Sequence, residues 1–190
     1  MIKNSLTIPE IKQYIGNRTL IVSVSGGKDS TGMALWLKEN GFDYQAVFIN
    51  TGWEHPCTVD YINDYLPQYI GDIITVSGPG MMDLIQAKGR FPSPLVRFCT
   101  GELKIRPMLK HIRGLDSDVV NAVGIRAQES AKRSKDTEWE ENPSLYCETW
   151  RPIIHWTWED VIAMHHKHNV LPNPLYLKGA ERVGCWPCIF

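Results

Sequence analysis

The stretch Val22-Ser23-Val24-Ser25-Gly26-Gly27-Lys28-Asp29-Ser30 decides the fold. Its approach, Leu20-Ile21-Val22-Ser23-Val24, is apolar and rich in β-branched residues, the composition of a short strand buried in a parallel sheet. Gly26 and Gly27 then permit backbone angles closed to other residues and let the main chain come close to a ligand. Ser30 opens a helical pattern that carries Leu35, Trp36 and Leu37. A strand, a glycine turn and a helix N-terminus make an anion site, because unpaired amides and the positive end of the helix dipole face one point. Phosphate is the expected ligand. The spacing excludes a Walker A loop, Gly-x-x-x-x-Gly-Lys-Ser/Thr, and the absence of Gly-x-Gly-x-x-Gly disfavours a dinucleotide fold.

Outward from this stretch the chain alternates strand and helix. A helix is expected over residues 8–16, entered through Pro9, then a strand over 19–25 and a helix from Ser30 to about Asn40, stopped by Gly41. Further strands are expected from Tyr44 to Ile49, from Asp72 to Val76 and from Val119 to Gly124. Between them come a helix from Thr58 to Leu66, a weak one beyond Gly80 and one from Thr100 to Ile112. Residues 126–148 are polar and densely charged, so they read as a mobile loop that includes the solvated Lys132-Arg133-Ser134-Lys135. A short strand over 150–154, a helix over 157–168 and an irregular cysteine-bearing tail complete the chain. His165, His166 and His168 fall on that last helix and read as a solvated face. This pattern predicts an α/β, doubly wound, mostly parallel sheet in one domain spanning 1–190, with ligands at the carboxyl ends of the strands.

The bulk numbers suit that reading. The chain has 190 residues, 43% hydrophobic and 22% charged, and a net charge of −1, so no global basic field draws nucleic acid. There is no basic region followed by an apolar one at the N-terminus, and no apolar run approaches the ~18 residues of a membrane span, so a cytoplasmic protein without a membrane partner is expected. The five cysteines then read as ligands or free thiols rather than disulfides.

Three segments should meet beside the glycine turn. Asn50-Thr51-Gly52 follows the second strand, and Gly124-Ile125-Arg126-Ala127-Gln128-Glu129-Ser130 follows the fourth, where Arg126 can fork onto phosphate or sulfate oxygens. The third is Cys99 with Thr100, read together with Gly184-Cys185-Trp186-Pro187-Cys188. A Cys-x-x-Cys pair supplies two ligands to a metal centre and Cys99 is a candidate third; alternatively the pair is a redox dithiol, or a zinc site, and Cys99 a buried thiol.

Ser25 to Ser30 resembles the PP-loop of the adenine nucleotide α-hydrolase superfamily, and the chain as a whole resembles the phosphoadenosine phosphosulfate (PAPS) reductase family. Ser25 to Ser30, Gly124 to Ser130, Arg151 to Trp156 and Leu171 to Cys188 carry the likeness. The resemblance implies an enzyme with a Rossmann-like fold that binds ATP, PAPS or adenylylsulfate. In that reading Ser25, Gly26, Gly27, Ser30, Asn50, Thr51, Gly52 and Gly124 bind nucleotide, and Lys28, Asp29 and Arg126 serve both binding and catalysis, Asp29 orienting Lys28 or a Mg²⁺. Lys104 and Pro107 place Cys99 on the first cysteine of the cluster motif of iron–sulfur members, so the resemblance implies a [4Fe-4S] cluster, alternatively Zn, on Cys99, Cys185 and Cys188. Thr100 stands where those members have a second cysteine, which leaves the fourth ligand to a non-cysteine group, Cys57, Cys147 or an exogenous sulfide or solvent.

Cys-Thr-x-x-Leu-Lys-Ile-x-Pro and the Gly-Cys-x-x-Cys ending are similar to the ATP-hydrolysing sulfurtransferases of DNA phosphorothioation systems, the DndC type. That likeness implies sulfur transfer, with a nucleic acid or a sulfur-donor protein as partner. The reductases carry a nucleophilic cysteine on a C-terminal tail that is lacking here, which sets thiosulfonate reduction second, with a borrowed thiol. A non-catalytic nucleotide-binding subunit is the third expectation.

Overall fold

The computed structural model describes residues 6–186 and Cys188. Six strands form one sheet in the order β3-β2-β1-β4-β6-β5: β1 Thr19–Val24, β2 Gln45–Asn50, β3 Ile73–Ser77, β4 Val119–Val123, β5 Trp139–Asn142 and β6 Cys147–Trp150. Every neighbouring pair is parallel except β5 against β6. The chain winds outward from β1 through β2 to β3 and returns to place β4 on β1's other side, Ser23 lying between Val47 and Val123. The order reverses between β1 and β4, and a crevice opens at the carboxyl ends of strands at such a reversal.

β1 shows why both faces are covered. Leu20, Val22 and Val24 point into one cluster with Ile11 and Ile15 of α1 (Ile8–Ile15) and Met33, Ala34 and Leu37 of α2 (Lys28–Glu39). Ile21 points the other way, onto Val47, Val119 and Met108. An alternating strand that is apolar on both faces is a central strand between two helical layers.

Two helices carry the same interruption. Pro56–Asp60 (α3) runs through a π-turn, Tyr61–Tyr65, into Pro67–Ile70 (α4). After Met81–Lys88 (α5), Phe98–Thr100 (α6) runs through a π-turn, Gly101–Ile105, into Arg106–Ile112 (α7). Each π-turn ends just before a proline, Pro67 or Pro107. Proline cannot donate the next helical bond, and the wider turn carries the chain to it, as in Leu66 N–H donating to Tyr61 O at 2.9 Å. Trp158–Lys167 (α8) packs on α2, and Pro174–Leu177 (α9) on α3.

The mobile loop expected over 126–148 is not what forms. It contains short 3-10 turns at Ala127–Glu129 and Arg133–Lys135, and then β5 pairs antiparallel with β6. Trp139-Glu140-Glu141-Asn142 has no alternating apolar pattern to announce a strand. It is held by the backbone ladder and by Trp139 stacked on Trp150, ring centroids 5.1 Å apart. The strand expected over 150–154 lies earlier for the same reason, since Cys147–Trp150 is the partner of β5. Among the described residues no helix is long and apolar enough to cross a membrane.

Candidate functional site

The glycine turn leaves β1 at Ser25 and enters α2 at Lys28, two residues before the expected start. Gly26 has φ +72°, and a Cβ there would meet Thr58 and Ile62 side chains at 3.0 Å. Ser30 is buried and its hydroxyl braces the turn: it accepts from Ser25 N–H at 3.2 Å and donates to Gly27 O at 3.1 Å. The loop is thus held in shape by its own side chain at the N-terminus of α2, the end that carries the positive pole of the helix dipole.

β4 closes the other side. A Cβ on Gly124 would fall 2.6 Å from Ser30 Cα and 2.8 Å from Ser30 N, so only glycine lets the fourth strand leave this close to the loop. Two residues on, Arg126 is 5% exposed and its Nε donates to Asp29 Oδ1, while Nη1 reaches Gln128 Oε1 at 3.3 Å. Asp29 also lies 3.5 Å from Lys28 Nζ. Asp29 therefore stands between two cations and fixes both.

A cavity of about 310 Å³ opens over this pair. Ser25, Lys28, Asp29, Arg133, Tyr176 and Arg182 line it, together with Glu129 and Glu181. Lys28 N–H donates to Tyr176 Oη at 3.1 Å, and the Lys28 ammonium sits 5.0 Å from the Tyr176 ring centroid. Burial holds the Arg133 guanidinium below its ordinary basicity, and the neighbouring charge of Arg182 pushes the same way. An anion entering there relieves that repulsion. Arg133 is thus not part of a solvated loop, and it pairs with Glu129 at the cavity edge.

His165 is also not on a solvated face. It is 2% exposed, with Nε2 2.9 Å from Lys28 O and Nδ1 3.2 Å from Val170 O. It ties α8 to the first turn of α2. His168 does face outward, on Glu39.

Asn50, Thr51 and Gly52 form a braced turn past β2. Asn50 Oδ1 accepts from Gly52 N–H at 2.8 Å, and Glu54 accepts from Thr51 N–H at 3.0 Å and Thr51 Oγ1 at 2.7 Å. Glu54 reaches a second cavity, about 200 Å³, on the α7 face of β1, which Ser23, Ser25, Lys104 and Cys185 also line. Ser25 belongs to both cavities.

Cys185 bridges to Glu54 through the backbone, and Trp186 N–H donates to Trp53 O. Burial raises the Cys185 thiol above its ordinary range, Lys104 opposes this, and the neighbouring Cys188 thiol pushes it further up. Cys99 instead packs against the apolar cluster of Met81, Leu84 and Leu103, Cys147 is buried in the core, and Cys57 lies 3.7 Å from Lys178 Nζ. Among the described residues no three Cys, His, Asp or Glu side chains stand together so as to hold a metal ion. The three-thiolate set expected for an iron–sulfur cluster or zinc is not assembled: Cys185 and Cys188 are a pair, and Cys99 is taken up by apolar neighbours.

Comparison with known proteins agrees with this geometry. The family model of the phosphoadenosine phosphosulfate reductase domain matches residues 19–190. The chain belongs to the PAPS reductase family. A 37.8 kDa protein of Escherichia phage 186 is 35% identical over 89% of this chain and 66% of its own length. The adenosine 5'-phosphosulfate reductase of Deinococcus radiodurans is 26% identical over 78% of this chain and 57% of its own. The chain thus spans about two thirds or less of the curated relatives it matches. Among solved structures, the phosphate complex of PAPS reductase from Candida auris superposes with a TM-score of 0.73 at 16% identity, covering 97% of this chain and 90% of that one. FMN adenylyltransferase of Candida glabrata, with FAD and pyrophosphate, reaches 0.68 at 14% identity over 94% and 58%. At those identities the likeness is one of fold.

The PAPS reductase fold brings Ser25 to Ser30, Gly124 and Arg126 together at the sheet reversal, while Asn50 to Gly52 lie one strand away. Arg133, His165, Tyr176 and Arg182 are the residues that sequence reasoning missed. Only Tyr176 and Arg182 carried a signal, since both fall within the family-like stretch Leu171 to Cys188.

Proposed function

We propose that this chain is the nucleotide-binding unit of an enzyme that takes ATP or an adenylyl sulfonucleotide and carries out sulfur chemistry at its anionic end. The observation that carries the reading is the cavity at the β1–β4 reversal, which Lys28, Arg133 and Arg182 line together with Ser25 and Gly27 of the glycine turn. In it the turn amides hold phosphate oxygens. Lys28 and the two arginines neutralise charge that develops as the bond to the leaving phosphate breaks, the electrostatic help that dominates such transfers. Arg126 acts one layer below, holding Asp29 and through it Lys28. The relatives named as adenosine 5'-phosphosulfate reductases support the sulfonucleotide, and the neighbour that contains pyrophosphate supports the mode of anion binding. No step runs through a metal cluster, because the described residues do not assemble its ligands.

The test is calorimetric titration of anaerobically prepared protein with ATP, PAPS and adenylylsulfate, followed by resolution of the products. Binding of at least one, lost on Lys28→Ala with Arg133→Ala while the thermal transition stays in place, is the expected outcome. Pyrophosphate released from ATP marks sulfur transfer, and sulfite marks reduction. Absence of binding to all three refutes the reading.

A further inference from the structure

Two exposed surfaces of this chain, one a knob and one a groove, carry opposite charge. The knob is the loop between α5 and α6. Phe91 and Leu95 are exposed there although both are large and apolar, Leu95 to 96%. The loop is shaped rather than frayed. Ser93 and Val96 exchange backbone hydrogen bonds at 3.2 and 3.1 Å, and the Ser93 hydroxyl accepts from Val96 N–H at 3.2 Å, so Leu95 rides on a closed turn. Pro92 and Pro94 fix φ on either side of Ser93. From Leu84 to Gly101 the sequence holds Lys88, Arg90 and Arg97 and no acidic residue, so the apolar tip wears a basic collar. The groove, about 400 Å³, lies between α3 with its π-turn and the segment that leads into α9. Tyr61, Tyr65, Leu171 and Leu177 line it, and its charged lining residues are Asp60 and Asp64. It is equally stiff: Tyr61 Oη donates to Leu171 O at 2.6 Å, Leu171 N–H donates to Tyr65 Oη at 2.9 Å, and the two rings stack with centroids 5.2 Å apart. Leu171 and Leu177 nevertheless stay exposed, Leu177 to 85%. Apolar side chains held open on rigid backbone lose little freedom on binding, and patches of them mark interaction sites.

We propose that the Phe91–Leu95 knob of one copy of this chain enters the Tyr61–Leu177 groove of a second copy, and that the exchange is reciprocal and forms a two-fold dimer. Within one chain both surfaces stay exposed, so neither fills the other. Between copies the collar of Lys88 and Arg90 meets Asp60 and Asp64 at the groove, which fixes the pairing by charge as well as by apolar contact. Proline-bearing segments suit aromatic-lined grooves, and Pro92 and Pro94 flank the turn that would lie on the tyrosines. In a two-fold pairing each contact is made twice, which doubles the buried area and closes the assembly. The dimer lies outside the nucleotide cavity and holds whatever that cavity binds. It touches the site at one point: Leu177 follows Tyr176, whose hydroxyl accepts from Lys28 N–H, so the knob of the second copy braces α9.

Sedimentation velocity of the full chain, without nucleotide and across micromolar concentrations, tests this. A monomer–dimer equilibrium is expected, shifting toward monomer as salt is added. Leu95→Glu should weaken association by about tenfold or more, the loss of a central apolar anchor. Two charge-reversed chains give the sharper test. Lys88→Glu with Arg90→Glu places an acidic knob against an acidic groove, and Asp60→Arg with Asp64→Arg a basic knob against a basic groove. Each should stay monomeric alone, and the two should form a mixed dimer when combined, because every knob then meets a groove of opposite charge. All five positions are exposed, so the thermal transition of each variant stays in place and shows that it is folded. Monomer at every concentration overturns the proposal. So do a dimer indifferent to Leu95→Glu, charge-reversed chains that dimerise alone, and charge-reversed chains that stay apart when mixed. Growth beyond two chains overturns the two-fold pairing.

Discussion

Asp29 stands between Lys28 and Arg126, and a double-mutant cycle on it measures how the site is held. The Arg126 and Asp29 side chains are 6% and 14% exposed, so solvent screens the pair little. Removing one partner of a buried pair leaves the other charge uncompensated and costs about 3–5 kcal/mol. The two single variants should not cost the same. Asp29→Asn leaves the Arg126 guanidinium with neutral acceptors only and also strips Lys28 of its carboxylate, so it belongs near the upper figure. Arg126→Gln leaves Asp29 still paired with Lys28, and belongs near or below the lower one. The double variant should cost little more than Asp29→Asn, because the second substitution removes the charge that the first left stranded. That is a coupling of roughly 2 kcal/mol. Against a typical total stability of about 5–15 kcal/mol, shifts of this size are read directly from urea unfolding at constant slope, without nucleotide. Two singles that each cost under ~1 kcal/mol and simply add would mean that the pair behaves as an exposed bridge, and the account of how Lys28 is aimed would fall with it.

Further outcomes follow from other contacts. Gly124→Ala places its Cβ against the backbone of Ser30, which cannot swing aside as a side chain would. It should cost about 1–3 kcal/mol and weaken nucleotide binding at least tenfold by calorimetry; an unchanged dissociation constant would detach β4 from the site. His165→Leu removes the one ring N–H that can bond the carbonyl of Lys28 or of Val170 and should lower stability by about 1–3 kcal/mol in urea, a neutral result showing that α8 does not brace the loop. Burial pushes the Tyr44 phenol from 10.0 up to about 12. The folded state therefore keeps a proton that the unfolded chain loses, and the stability is fully present below about pH 10 and lost as pH rises through about 12. Tyr44→Phe should flatten the alkaline fall in that window, and a parallel curve would show that the phenol is free to ionise.

The sheet and its switch point were legible because β1, the glycine turn and α2 each carry a local signal that agrees with the others. Gly124 and Arg126 could be placed at a strand end for the same reason. β5 was not legible, since its pairing depends on Trp150 and β6 rather than on its own residues. Arg133 and His165 sit in segments whose composition reads as solvated. Their settings are decided by what the fold brings up to them, the cavity shared with Arg182 for the half-buried Arg133 and the first turn of α2 for the buried His165. The cysteine pair was visible as Cys-x-x-Cys, but spacing does not say whether Cys99 turns toward it or into Met81, Leu84 and Leu103.

The strand order has a consequence for when the site comes into being. Arg126 meets Asp29 across 97 positions, His165 meets Lys28 across 137 and Tyr176 meets it across 148. As the chain leaves the ribosome, β1 and its glycine turn emerge early yet wait for β4 before one flank is paired, and for α9 before the loop amide finds its partner. Contacts of such long sequence separation form late and slowly. Until then a central strand built to be covered on both faces stays open, the kind of exposure that invites aggregation during synthesis. On the nucleotide reading proposed above, the site becomes competent only after these long-range contacts have formed.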